Sequence, residues 1–349
     1  FQMTMKNGQR CSSAVAYLKP ARRRKNLHII THAHAEKLLF KAKQCVGVQV
    51  QINGISQAVH AGREVILSAG AIGSPQLLMV SGIGAASELG AHGIQIKHEA
   101  PGVGKNMQDH LQARPIFKTT ASTINLEINS IYKRLRIAMT YAASRSGPMA
   151  MAVSLGTGFL KSDPALDRPD IQFHIQPFSA DSPAQGPHGF SAFTASVLQL
   201  RPESTGTLSL RSASMHDDPV IRPNYLSAQT DCDTIVRGIQ IARSLCDYDP
   251  IKSLVTEEYA PGKNIGRDDT DAILNWARDT ATTIYHPTGT CKMGQDKMAV
   301  VDERLRVRGI QGLRIADASI MPVITSGNTN APAIMIGEKA SDMIMEDAA

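Results

Sequence analysis

Aromatic residues are scarce, 5% of 349 residues, and Trp276 is the single tryptophan. A site that grips a quaternary ammonium needs aromatic faces or a carboxylate, so this chain is poorly stocked for one. The five cysteines (Cys11, Cys45, Cys232, Cys246, Cys291) are odd in number, widely spaced and without a C-x-x-C pair. That argues against a disulfide framework and points to reduced, buried thiols in a cytoplasmic protein. No apolar run approaches the roughly 20 residues that span a bilayer, and no signal-peptide pattern follows Phe1. There is no G-x-S-x-G, so a serine hydrolase would lack its nucleophile. Gly82-x-Gly84 and Gly102-x-Gly104 each lack the third glycine of a dinucleotide fingerprint and its strand-to-helix setting.

What is present is the composition of a globular protein, 42% apolar and 19% charged, long enough for one large or two ordinary domains. The net charge of +6 is uneven: residues 1–43 hold ten Lys or Arg against one acid, Glu36. No nucleic-acid-binding module accompanies these cations, so Arg22-Arg23-Arg24-Lys25 is read as a solvated loop. Peripheral contact with the inner membrane is left open. His32 and His34 lack further ligands at metal spacing and are read as structural, with no metal expected.

Along the chain, Leu27–Thr31, Gly47–Ile52 and Glu64–Ala69 read as strands, with Asn53-Gly54 as a tight hairpin turn. Ser74 and Pro75 supply the N-cap and first position of a short helix, Gln76 to Val80. A basic amphipathic segment, Ser122 to Ser146, reads as helix, with Ile128, Ile131, Leu135, Ala138 and Met139 along it. The small-residue run Ala150 to Gly158 reads as loop. Short strands at 171–175, 190–200, 207–210 and 220–222 predict an antiparallel sheet in a second domain, followed by helices at 230–247 and 269–279. The fold class is therefore mixed α/β and α+β.

Near the C-terminus, His286 sits between a β-branched run and a Pro/Gly turn, which holds its ring. Leu313–Ala316 reads as a buried strand ending at Asp317, and a polar loop carrying Asn328 leads into a helix with Pro332 in its first turn. A histidine, an asparagine and a helix N-terminus suit a reaction in which a proton leaves and negative charge develops.

HPTGTCKMG (286–294), DASIMP (317–322) and SGNTNAPAIMIGEKASDMI (326–344) resemble the C-terminal signature of the glucose–methanol–choline (GMC) flavoprotein oxidoreductases, nearest to the choline and alcohol dehydrogenase branch. REVILSAGAIGSPQLLMVSGIG (63–84) and PGVGKNMQDH (101–110) resemble two further family segments, in the family's order. The resemblance implies FAD-dependent oxidation of a primary alcohol to the aldehyde by hydride transfer to flavin, with His286 as base and Asn328 as donor to the alkoxide. It places Ala35, Tyr285, Asp317, Ala318, Asn330 and Ala331 at the cofactor. It implies a Rossmann-like FAD domain formed by residues 1–110 and 300–349, with 111–299 as substrate domain. The electron acceptor, quinone or oxygen, stays open. The family's opening GxGxxG segment has no counterpart here, so the expectation is a C-terminal portion which, alone, lacks FAD and activity. Two alternatives are a non-redox cyanohydrin lyase of the same family and an inactive folded fragment.

Overall fold

Cys232, Ile235, Ile239 and Ala242 recur at helical spacing, and in the computed structural model they form the buried stripe of a helix, Gln229–Leu245. The structure describes residues 3–152, 154–182 and 185–348. The chain forms two compact units. One comprises Phe1–Leu27, Leu111–Leu200 and Gln229–Ile284; the other comprises His28–His110, Arg201–Ala228 and Tyr285–Ala349. Their bounds therefore differ from the expected split at 110 and 300.

The first unit is built on a seven-stranded antiparallel sheet. Its path runs Gly156–Leu160, Ile171–Gln176, Ala192–Gln199, Ile116–Thr119 and Val255–Ala260. Leu111–Ala113 also pairs with Ala192–Gln199, and Thr282–Thr283 pairs with Leu111–Ala113. Because Phe173 faces Val197 and His174 faces Ser196 in register, side chains divide by face. Ile171, Phe173, Ala195 and Val197 line one side, and Gln112, Gln172, His174, Ser196 and Thr282 the other. The helix Gln229–Leu245 packs on the apolar side. A Cβ at Gly238 would stand 2.6 Å from a Val197 methyl, so glycine sets how closely helix and sheet approach. The helix Thr270–Thr280 is N-capped by Asp269, which accepts from the Ala272 N–H at 3.0 Å, and it buries Ile273 and Ala277.

The second unit holds a parallel pair, Val65–Leu67 with Leu313–Ile315. Beside it lies the antiparallel sheet Ala33–Lys41, Gln44–Ile52, Ile55–His60. Asn53 and Gly54, with φ of 51° and 84°, form the expected tight turn. The core gathers Leu77, Leu78, Met79 and Val80 with Ile83, Leu89, Val301, Leu305 and Ile315. That encloses the helix Gly70–Val80 on nearly every side.

This helix starts six residues earlier than its sequence suggests and contains Pro75. Ser74 lies inside the helix and not at its N-cap, and the first turn is held from a distant segment: Asp317 Oδ2 accepts from the Gly70 N–H at 3.0 Å and from Ser74 Oγ, while Ser74 Oγ accepts the Ala69 N–H at 3.2 Å. Pro75 has no N–H for the Ala71 carbonyl four residues back. Thr290 Oγ donates to that carbonyl instead, at 2.7 Å.

Four further expectations are corrected. Leu27–Thr31 is no strand, since it joins no ladder among the described residues and Ile29 and Ile30 are 47% and 59% exposed. Gly156–Leu160, which overlaps the end of the run read as loop, is an edge strand; Val153 of that run lies outside the described residues. Thr207–Ser209 and Val220–Arg222 pair only with each other, in the second unit. The Ser122–Ser146 segment is two helices, Ile124–Ile128 and Ile131–Ser144, and the second buries Ile137 while Ile131, Leu135 and Met139 stay exposed.

Candidate active site

Two stretches far apart in sequence are clipped together to make the site, and all of it lies in the second unit. Gln108 and Thr288 exchange both backbone hydrogen bonds, at 3.1 and 2.9 Å. Gly289, at φ 85°, passes so close to Asn106 that a Cβ would lie 2.5 Å from its carbonyl oxygen, which is why glycine follows Thr288. Asn106 Nδ2 donates to the Pro322 carbonyl at 3.1 Å, and Gln108 Oε1 accepts from the Ile324 N–H at 2.9 Å. These bonds tie down the loop that carries Asn328.

His286 is 8% exposed. Its backbone N–H donates to Asp109 Oδ1 at 2.9 Å, and the same oxygen accepts the His110 N–H at 2.9 Å. Asp109 Oδ2 accepts from the Tyr225 hydroxyl. The His286 ring is held at both nitrogens: Nδ1 lies 3.0 Å from His110 Nδ1, and Nε2 lies 3.3 Å from Asn328 Nδ2. Burial, reinforced by His110 and partly offset by Asp109, pushes its pKa down to about 4. The ring is therefore neutral at pH 7, as a proton acceptor must be.

The catalytic candidates His286 and Asn328 are thus brought together. Close in sequence to Asn328 begins the helix Asn330–Ala348, whose first-turn N–H groups have no intrahelical acceptor and carry the positive end of the helix dipole. Asn330 and Ala331 occupy that turn. Tyr285 is 74% exposed with φ 64°. Ala35 lies on an edge strand, where half of the backbone groups face away from the sheet. Asp317 caps the short helix Ala318–Ile320 through Oδ1 and clamps Gly70 and Ser74 through Oδ2, so both of its oxygens already serve the fold. Ala318 follows it in the same turn. Asp109, His110 and Tyr225 carry no role in the sequence reading. The signal available was the Asp-His pair closing the third family segment.

His34 stacks on His216 with ring centroids 4.5 Å apart, and no group of three metal-binding side chains occurs among the described residues. Cys291 is fully buried and its thiol is pushed well above the ordinary range by that burial, which makes it an inert packing residue. No helix among the described residues is long and apolar enough to cross a membrane.

Two family profiles described as GMC oxidoreductase match the chain, the N-terminal one over residues 1–112 and the C-terminal one over 202–337. The chain belongs to the GMC oxidoreductase family. It is 43% identical to an alcohol dehydrogenase [acceptor] of Pseudomonas putida, covering 99% of this chain and 63% of that protein. It is 42% identical to the mitochondrial choline dehydrogenase of Homo sapiens, covering 98% and 58%. The fold is similar to that of a formate oxidase from Aspergillus oryzae studied for modification of its FAD, with a TM-score of 0.89 and 28% identity, covering 99% of this chain and 64% of the other. The chain thus spans about three-fifths of the length of these relatives. The N-terminal profile does not support the expectation that the family's N-terminal segment is missing. Nor do the comparisons support the expectation of a chain devoid of FAD.

Proposed function

We propose that the chain carries the proton-handling part of an FAD-dependent enzyme that oxidises a primary alcohol to its aldehyde. The observation that carries this reading is the convergence of His286 Nε2 and Asn328 Nδ2, 3.3 Å apart, beside the start of a 19-residue helix. One alcohol oxygen can meet both groups. His286, neutral, takes the hydroxyl proton at Nε2, and the Asn328 amide donates to the oxygen as its charge grows. Bound FAD supplies the hydride acceptor, and that redox chemistry is the cofactor's own.

The residues present suit such a group. Small Ala35 on an edge strand offers backbone to a planar ring, and Ala318 is compatible with close approach. Tyr285 is exposed, and the first-turn N–H groups at Asn330 and Ala331 would favour negative charge near them. Asp317 would contribute through its backbone, since its carboxylate is engaged within the chain. The relatives named for alcohol and choline dehydrogenation support an alcohol substrate over a cyanohydrin.

The test is His286→Ala in the flavin-loaded enzyme. A fall in kcat of at least ~10²-fold with flavin content unchanged is expected, the usual cost of removing a general base. Turnover near the parent rate would remove His286 from the reaction.

A further inference from the structure

We propose that His110 is a positioning residue that sets the tautomer of His286, in the place where a carboxylate commonly supports a catalytic histidine. This rests on His286 being the base proposed above. The two Nδ1 atoms are 3.0 Å apart. A hydrogen bond between two imidazole nitrogens holds one proton, so two neutral rings must be opposite tautomers. Which ring donates is decided at the other end of His286. The Asn328 amide nitrogen, a donor, faces Nε2 at 3.3 Å, which requires a lone pair there. His286 therefore carries its proton on Nδ1 and donates it to His110, whose own proton sits on Nε2. This is the form in which His286 Nε2 can accept a hydroxyl proton.

The arrangement is built, not incidental. His110 is fully buried, the rings meet edge-to-face at 77°, and one oxygen of Asp109 accepts the backbone N–H of both histidines at 2.9 Å. The spacing of the two rings is thus fixed from the main chain. A neutral imidazole also differs from a carboxylate in what it does to charge: it orients the base without holding a proton on it. In serine proteases a base in the wrong tautomer costs about 10⁴-fold in kcat, so a partner that only selects the tautomer is worth keeping.

The experiment is long-range ¹H–¹⁵N correlation at pH 7 on the intact chain labelled with ¹⁵N-histidine. The histidine signals are assigned by His110→Asn, His110→Phe and His286→Ala. For His286 a protonated Nδ1 and an unprotonated Nε2 are expected, the reverse for His110, with scalar coupling between the two Nδ1 nuclei. An Asn at 110 offers an amide oxygen where Nδ1 was and should keep His286 in the same tautomer. Phe offers no acceptor and should move the proton to Nε2, with a loss of at least ~10-fold in kcat of the flavin-loaded enzyme that Asn largely restores. A wild-type His286 with its proton on Nε2 would overturn the proposal, as would equal effects of Asn and Phe. If either variant fails to fold, the wild-type spectrum still decides. Full turnover in His286→Ala with the tautomers as stated would instead sink the base assignment alone.

Discussion

At the scale of single residues, His286 couples chemistry to stability. Its pKa falls from 6.5 to about 4 on folding, first through burial and then through His110. The sign follows from proton binding. Between pH 6.5 and 4 the unfolded chain binds this proton and the folded chain does not, so stability is full above pH 6.5 and falls as the pH drops through that window. The contribution is on the order of 3 kcal/mol at the acid end, from about 1.4 kcal/mol per unit. Urea unfolding at pH 7 and pH 4.5 should show His286→Asn losing less stability on acidification than the parent; equal losses would show the ring is not held neutral. Thr290 gives a second residue-scale expectation. Its hydroxyl serves the Ala71 carbonyl that Pro75 leaves open, and burial keeps water away, so Thr290→Val should cost about 1–3 kcal/mol. In a Pro75→Ala background, where a backbone N–H returns, the same change should cost clearly less. Additive effects in that double-mutant cycle would count against the compensation.

At the scale of elements, the sequence was informative wherever a pattern met a local partner. The helix at 229–245 declared itself by spacing, and the strand at Ile171–Gln176 as a short stretch bounded by breaks. Asn53-Gly54 announced its turn because only positive φ fits there. The readings that failed depended on partners distant in sequence. The helix start at Gly70 is created by Asp317, 247 residues away, and no local rule could prefer it over Ser74-Pro75. Leu27–Thr31 has the composition of a strand but no neighbour to pair with, which composition cannot report. The site divided in the same way. His286 and Asn328 stood out within motifs, whereas Asp109, His110 and Tyr225 matter only because the Gln108–Thr288 exchange brings two segments together. The contact between helix and sheet at Gly238 gives the element-scale test. Gly238→Ala places a methyl 2.6 Å from Val197 and should cost about 1–3 kcal/mol by overpacking, read from the denaturant midpoint. Val197→Ala in the same chain should recover part of that loss; a neutral Gly238→Ala would show that the helix can simply lift.

At the scale of the whole molecule, similarity alone leaves the substrate open, because the alcohol dehydrogenase and choline dehydrogenase relatives are 43% and 42% identical to this chain. Chemistry decides more. A trimethylammonium group is attracted to aromatic faces or carboxylates, and cation–π attraction is worth about 0.5–2 kcal/mol per good face. This chain has one tryptophan, and Trp276 lies on the Thr270–Thr280 helix that also buries Ile273 and Ala277, where packing accounts for it. The paired faces of Phe190 and Tyr259 already hold a cation: Lys118 Nζ lies 5.0 Å and 5.6 Å from their centroids, and His188 stacks on Phe190. That lysine also pairs with Glu257 at 2.8 Å, so these two faces are already taken. The expected outcome is a higher kcat/KM for a medium-chain primary alcohol than for choline in the flavin-loaded enzyme. A strong preference of the parent enzyme for choline would reverse the substrate assignment, while leaving the roles of His286 and Asn328 untouched.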